Sequence, residues 1–163
     1  NEVLSAIILT EATSTLGHWV KTHPHDLDSS VKARLEAGHL ILAADYMKAL
    51  QARQQLLIEC RKAFEGVDVL IAPANVQVAP KIGDDAAYWK GQTKEFIGSQ
   101  VRFTGPFNLT GLPAISVPCG FTDSGLPVGF QIIGRPFDEA TVLQVAHAFE
   151  QATEWHKHRP PIK

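Results

Sequence analysis

Only two cysteines, Cys60 and Cys119, and a single methionine, Met47, occur in 163 residues. Two thiols are too few for the disulfide framework of a secreted domain. The N-terminus lacks the charged, apolar and small-residue regions of a signal peptide, so a reducing, cytoplasmic setting is expected. Long hydrophobic runs are also missing. Ala6-Ile7-Ile8-Leu9 soon meets Glu11, and the run from Leu40 to Ala44 meets Asp45, whereas a membrane-crossing helix needs about 20 apolar residues. No membrane partner is expected. Basic runs are absent as well: 15 Lys and Arg face 17 Asp and Glu, for a net charge of -2. Such a balance leaves no electrostatic footprint for nucleic acid, so small molecules and proteins are the expected partners.

Several catalytic signatures are lacking too. A serine-hydrolase elbow needs Gly-x-Ser-x-Gly at a strand-to-helix turn, and no serine meets that spacing. Ser116 and Ser124 come nearest; they fall in an expected strand and an expected turn, where a packed strand serine and a turn former are the simpler readings. Cys119, between Pro118 and Gly120, has the setting for a thiol exposed at a strand end, but no histidine is placed by sequence to activate it, and a structural cysteine is preferred. The seven histidines include the pairs His23-Pro24-His25 and His156-Lys157-His158. Neither pair has a third ligand at a recognised spacing, so no metal site is expected. Glycine loops that cradle phosphate are missing, and no cofactor is expected.

What is present reads as one globular unit, 45% hydrophobic and 20% charged, without repeats or low-complexity linkers. The chain opens at Asn1 inside an apolar-periodic pattern, so a preceding segment is expected to have been removed. Leu4, Ile7, Ile8, Ala12, Leu16, Trp19 and Val20 recur at three- and four-residue spacings and predict a helix over 3–20. Asp28 with Ser29 or Ser30 predicts the cap of a short helix over 31–37, stopped by Gly38. A longer helix over 45–65, with Tyr46, Ala49, Leu50, Leu56, Leu57, Cys60, Ala63 and Phe64 on one stripe, should end at Gly66. The run 67–72, closed by Pro73, predicts a strand buried on both faces. An irregular segment follows from Ala74 to Gly98, long enough to border a site. Strands over 114–117 and 128–133, joined by turn-forming residues 122–127, predict a hairpin. Asp138 should cap a closing helix that buries Val142, Val145, Ala146 and Phe149 and ends near Thr153.

The expected division is therefore helical over 1–66, strands with a site-bordering loop over 67–137, a closing helix over 138–155 and a polar, mobile tail over 156–163. The fold class is α/β, a partial mixed β-sheet flanked by helices. Three strands leave open edges, and the missing part of the protein is expected to supply the others.

The most informative stretch runs Phe103-Thr104-Gly105-Pro106-Phe107-Asn108-Leu109-Thr110-Gly111-Leu112-Pro113-Ala114-Ile115-Ser116-Val117-Pro118-Cys119-Gly120. Its prolines and glycines fix the backbone more tightly than a generic strand requires. Thr104 and Asn108 either offer hydrogen bonds from a turn lining a cleft or satisfy local backbone groups.

Together with Gly125-Leu126-Pro127-Val128-Gly129-Phe130-Gln131-Ile132-Ile133-Gly134, that stretch resembles the C-terminal region of the amidase signature family. The similarity extends back through Arg34, Gly38, Asp45-Tyr46, Ala49, Arg53 and Asp68-Val69-Leu70-Ile71-Ala72-Pro73, and forward through Asp138. Ala74 stands where a threonine commonly follows the strand proline. The resemblance implies a large mixed sheet layered between helices, and hydrolysis of a carboxamide C–N bond through an acyl-serine intermediate. It implies a Ser–cis-Ser–Lys arrangement with a neutral lysine as base and backbone N–H groups for the oxyanion. That machinery belongs to a glycine- and serine-rich central segment not found here; the only adjacent serines, Ser29-Ser30, stand at a helix start. No catalytic residue is therefore assigned to this chain, which is expected to be inactive alone. Thr104, Asn108 and Gln131 are the residues the resemblance places nearest the substrate.

The resemblance further implies a small-molecule amide as substrate of the complete enzyme, and the apolar faces that the missing segment would cover lead to the expectation of a homo-oligomer. Val101-Arg102-Phe103 stands where the family's glutamine-using members have an aspartate to grip an ammonium, which favours a general amidase. The alternatives are part of the A component of a glutamyl-tRNA(Gln) amidotransferase, and a free-standing non-catalytic binding or assembly domain.

Overall fold

The computed structural model describes residues 2–79, 81 and 101–160. The chain forms two compact units, Asn1–Ile58 and Glu59–Lys163.

The first unit is helical. Helix α1, Glu2–Leu16, packs against α3, Ser29–Gly38; Leu4, Ile7 and Thr13 are buried on α1, and Leu35 and Gly38 on α3. The single helix expected over 3–20 is interrupted at Gly17, and only the one-turn α2, Trp19–Thr22, resumes it. Glycine inside a helix costs about 1 kcal/mol relative to alanine. Of the expected apolar stripe, Ile8, Leu16 and Trp19 remain exposed, while Leu4 and Ile7 are buried. Asp28 caps α3 as expected: its Oδ1 accepts from the Ser30 amide at 2.8 Å and the Ser30 hydroxyl at 2.6 Å. Those bonds hold its carboxyl below the usual carboxylate range. Helix α4, Ala43–Ala63, begins in this unit and ends in the second. The chain turns out of it through Gly66, whose φ of 83° lies in the left-handed region that glycine enters at no steric cost.

The second unit is a three-stranded sheet in the order β1-β3-β2, with β1 at Val69–Pro73, β2 at Ala114–Phe121 and β3 at Pro127–Gly134. The predicted hairpin is β2–β3; its turn is closed by the Thr122 amide donating to the Leu126 carbonyl at 2.9 Å and by Gly125 at φ 82°. Ser124 serves that turn, its hydroxyl 2.8 Å from that of Thr122. Cys119 sits in the register shift between Pro118 and Gly120, where proline cannot donate to the ladder. Both pairings are antiparallel, so the parallel neighbour that would make the sheet mixed is not among the described strands.

Alternation along β3 divides the core. Ile132 packs with Val117, Val142 and Ala146 on the face covered by the closing helix α6, Glu139–Ala152. Ile133 packs on the opposite face with Phe64, Leu112, Cys60 and Phe107. β1 departs from expectation: it starts at Val69, lies at an edge of the described sheet, and leaves Ile71 65% exposed instead of burying both faces. Asp138 occupies the cap position of α6, but its carboxylate accepts the Thr141 hydroxyl at 2.7 Å and no backbone amide. The expected mobile tail is instead packed as far as His158, whose ring lies 4.9 Å from that of Phe121. Pro161 and, in the segment from Ala74 to Gly98, residues 80 and 82–98 lie outside the described residues.

Partial burial beside Phe64 pushes the Cys60 thiol up, and the neighbouring Glu59 charge acts in the same direction. The folded state thus favours the protonated form. The associated stability is present below the ordinary cysteine pKa and is lost as pH rises through the higher folded value. Alkylation of Cys60 by iodoacetamide near neutral pH should be slower than that of a free cysteine peptide, and the ratio should close as the protein is unfolded. Mass spectrometry of the labelled peptide tests this, and a rate equal to the peptide's in the folded protein would refute it.

Candidate functional site

The site is built by a short helix, in a stretch whose punctuation over residues 103–111 suggests only a turn. Helix α5, Gly105–Thr110, has proline in its first turn, where the missing N–H costs nothing, and ends at Gly111 with φ 68°. The Gly111 and Leu112 amides both donate to the Phe107 carbonyl, at 2.9 and 3.2 Å, closing the helix. Thr104, at the cap position, and Asn108 are four residues apart and share one face.

That face looks onto a cleft of about 270 Å³. Thr104, Phe107 and Asn108 form one side, Ser116 and Gln131 the sheet side, and Ala74 the end beyond β1. Ser116 and Gln131 are register partners on β2 and β3, so their side chains leave the same face of the sheet. In the otherwise apolar face that carries Leu70, Ala72 and Ile133, they make a small polar island.

The hydrogen-bonding capacity of these groups is unevenly used. Gln131 is 4% exposed, and its Nε2 donates to the carbonyls of Pro73 at 2.9 Å and Phe103 at 2.7 Å. A flipped amide would set Oε1 against two carbonyl oxygens, so this pairing fixes its orientation. The Thr104 hydroxyl makes no capping bond. Thr110, by contrast, spends its hydroxyl locally on the Pro106 carbonyl at 2.9 Å. The reading in which Thr104 and Asn108 merely satisfy local backbone groups therefore does not describe them: among the described residues, neither side chain has a hydrogen-bond partner.

All three residues singled out from the sequence, Thr104, Asn108 and Gln131, thus border one cleft. Ser116 joins them without fitting a nucleophile elbow; the signal that could have found it is the hairpin itself, since pairing its strands residue by residue sets Ser116 opposite Gln131. No Lys, His, Asp or Glu lines the described cleft, so Ser116 has no neighbouring base there to activate it. Arg102 is exposed and outside the lining. The paired histidines lie elsewhere: His23 packs on Trp19 with ring centroids 4.6 Å apart, and His158 on Phe121. Among the described residues no group of three or more His, Cys, Asp or Glu is arranged to hold a metal ion, and no helix is long and apolar enough to cross a membrane.

Comparison with known proteins agrees with this architecture. The family model for amidases matches residues 4–143. The A component of the glutamyl-tRNA(Gln) amidotransferase of Thermodesulfovibrio yellowstonii is 43% identical over 147 residues, covering 87% of this chain and 29% of its own length. The protein of the same name from Lysinibacillus sphaericus is 42% identical over 155 residues, covering 92% of this chain and 31% of its own. A crystal structure of an amidase superposes with a TM-score of 0.80 at 28% identity, over 93% of this chain and 35% of that one. The chain therefore spans less than a third of the length of these two curated relatives.

Proposed function

This chain belongs to the amidase family, and from that membership we propose that it forms one wall of the active site of an enzyme that hydrolyses carboxamide C–N bonds through an acyl-serine intermediate. The nucleophilic serine, the bridging serine and the lysine base come, in this reading, from a part of the polypeptide outside these 163 residues. One observation carries the reading for this chain: Thr104 and Asn108 bring unspent hydrogen-bonding groups to a cleft bordered on its sheet side by Gln131, whose two N–H donors are committed to the scaffold. A carboxamide offers both a carbonyl acceptor and N–H donors, which such a wall matches. Thr104, Asn108 and Gln131 are accordingly the substrate-side residues, with Ser116 beside them. The complete enzyme is proposed to act in the cytoplasm, without metal or organic cofactor, as a homo-oligomer.

The full-length protein should hydrolyse small carboxamides. Thr104→Val combined with Asn108→Ala should raise KM about tenfold with a smaller change in kcat, because these contacts are made to ground and transition state alike. Steady-state kinetics on a primary carboxamide decides it; no hydrolysis by the full-length protein, or a variant with unchanged KM, would sink the reading.

A second reading, part of the A component of a tRNA amidotransferase, is favoured by the names of the curated relatives. It is opposed by Val101-Arg102-Phe103, which offers no carboxylate for the ammonium group of glutamine. L-glutamine turned over far better than an uncharged amide of similar size would establish the second reading.

A further inference from the structure

Gln131 joins three segments that are distant in sequence. From the middle of β3, its single Nε2 bonds the carbonyl of Pro73, 58 positions away, and that of Phe103, 28 positions away. Pro73 is the last residue of β1, and Phe103 immediately precedes the Thr104 cap of α5. No other side-chain hydrogen bond found among the described residues ties residues 101–108 to the sheet; Thr110, farther along α5, bonds only within its own helix. Because α5 has just 6 residues, it has too little intrinsic stability to hold its own position. Its placement draws on the packing of Phe107 against the cluster of Phe64, Leu112 and Ile133 and on the Gln131 bond to its entry.

Resting on the carboxamide-hydrolase reading, we infer that Gln131 is a positioning residue for the substrate wall: its amide clamps the entry of α5 to the end of β1, and so sets Thr104 and Asn108 at the distance from the sheet at which they meet substrate. Both N–H donors of Nε2 serve the scaffold. The two carbonyls lose a donor they share, and with it the link between the end of β1 and the entry of α5, so losing the amide moves the segment and does not merely remove one contact.

The test uses the full-length enzyme. Gln131→Met keeps the approximate volume and removes both donors. Amide hydrogen exchange over 101–110 should accelerate about tenfold or more, while exchange over 139–152, which packs on the other face, stays as it was. KM for a primary carboxamide should rise about tenfold, with kcat changed less. In the Thr104→Val/Asn108→Ala background the same substitution should raise KM less than about twofold, since a residue acting through two others has nothing left to position. Equal KM increases in both backgrounds would show that Gln131 acts on substrate directly and would overturn the inference, as would unchanged exchange over 101–110. If Gln131→Met does not fold, Gln131→Asn carries the same outcomes: it keeps the amide but is one methylene short of spanning both carbonyls. If the wild-type enzyme hydrolyses no carboxamide, the functional reading fails, while the exchange measurement still decides whether the clamp exists.

Discussion

Ile132→Ala should lower the stability of the sheet unit by about 3–4 kcal/mol. Ile132 has no exposed surface, and its contacts come from three directions: Val117 on the neighbouring strand, and Val142 and Ala146 on α6. Removing three carbons leaves a cavity that two well-anchored elements cannot close. Phe130 and Phe149 already pack edge to face at 4.9 Å, and Gly134 lets Val142 approach so closely that a Cβ there would lie 2.5 Å from its Cγ2. Ile71→Ala is the internal control. It deletes the same atoms from a residue that is 65% exposed, so the cost should stay below about 1 kcal/mol. Urea unfolding of the two variants gives the difference directly, and equal costs would show that the α6 face is not a packed core.

The contrast between Ile132 and Ile71 also marks what is legible in the sequence. Both lie in β-branched runs that predict strands, and both runs are strands. Burial is another matter, because it depends on which strand is central and what covers each face. No local pattern encodes the order β1-β3-β2. The same limit explains the first helix. Its apolar residues cover more than one face, and tertiary packing, not the pattern, decides which of them are buried. Short elements escape for a different reason: the 6 residues of α5 are too few for periodicity to register. Yet its boundaries are written in the chain, with Pro106 in the first turn and Gly111 at the left-handed end, signals to which a turn reading gives too little weight. At the cleft, Thr104, Asn108 and Gln131 can be named from the resemblance. The bonds from Gln131 to Pro73 and Phe103 cannot, since they span 58 and 28 positions and exist only once three segments have met.

Gly38→Ala tests the helical unit, and here two effects of opposite sign compete. Alanine in place of glycine favours a helix by up to about 1 kcal/mol, and less at the end of one. On that ground alone, α3 would gain stability. Gly38, however, lies where α3 crosses α1: a Cβ there would run into the Thr13 hydroxyl and the Leu9 carbonyl, and would come within 2.8 Å of the Thr13 Cβ. Thr13 has nowhere to retreat, because it is itself buried and its Oγ1 donates to the Leu35 carbonyl at 2.8 Å. Relief requires either separating the helices or breaking that buried bond. Overpacking of this kind costs about 1–3 kcal/mol, and an orphaned buried acceptor adds about 1–3 kcal/mol. The steric side therefore wins, with a net loss of about 2–3 kcal/mol. Adding Thr13→Ala should recover part of it and no more, since the Leu9 carbonyl belongs to the backbone and remains in the way. Gly66→Ala separates the causes. Nothing lies within 4 Å of a Cβ at Gly66, and its φ of 83° is the only obstacle, so the cost there should be about 1–2 kcal/mol and indifferent to Thr13. Hydrogen exchange in α1 and α3 reads Gly38→Ala, and exchange at the end of α4 reads Gly66→Ala; a Gly38→Ala protein whose helices exchange more slowly than wild type would mean that propensity, not the crossing, governs this position.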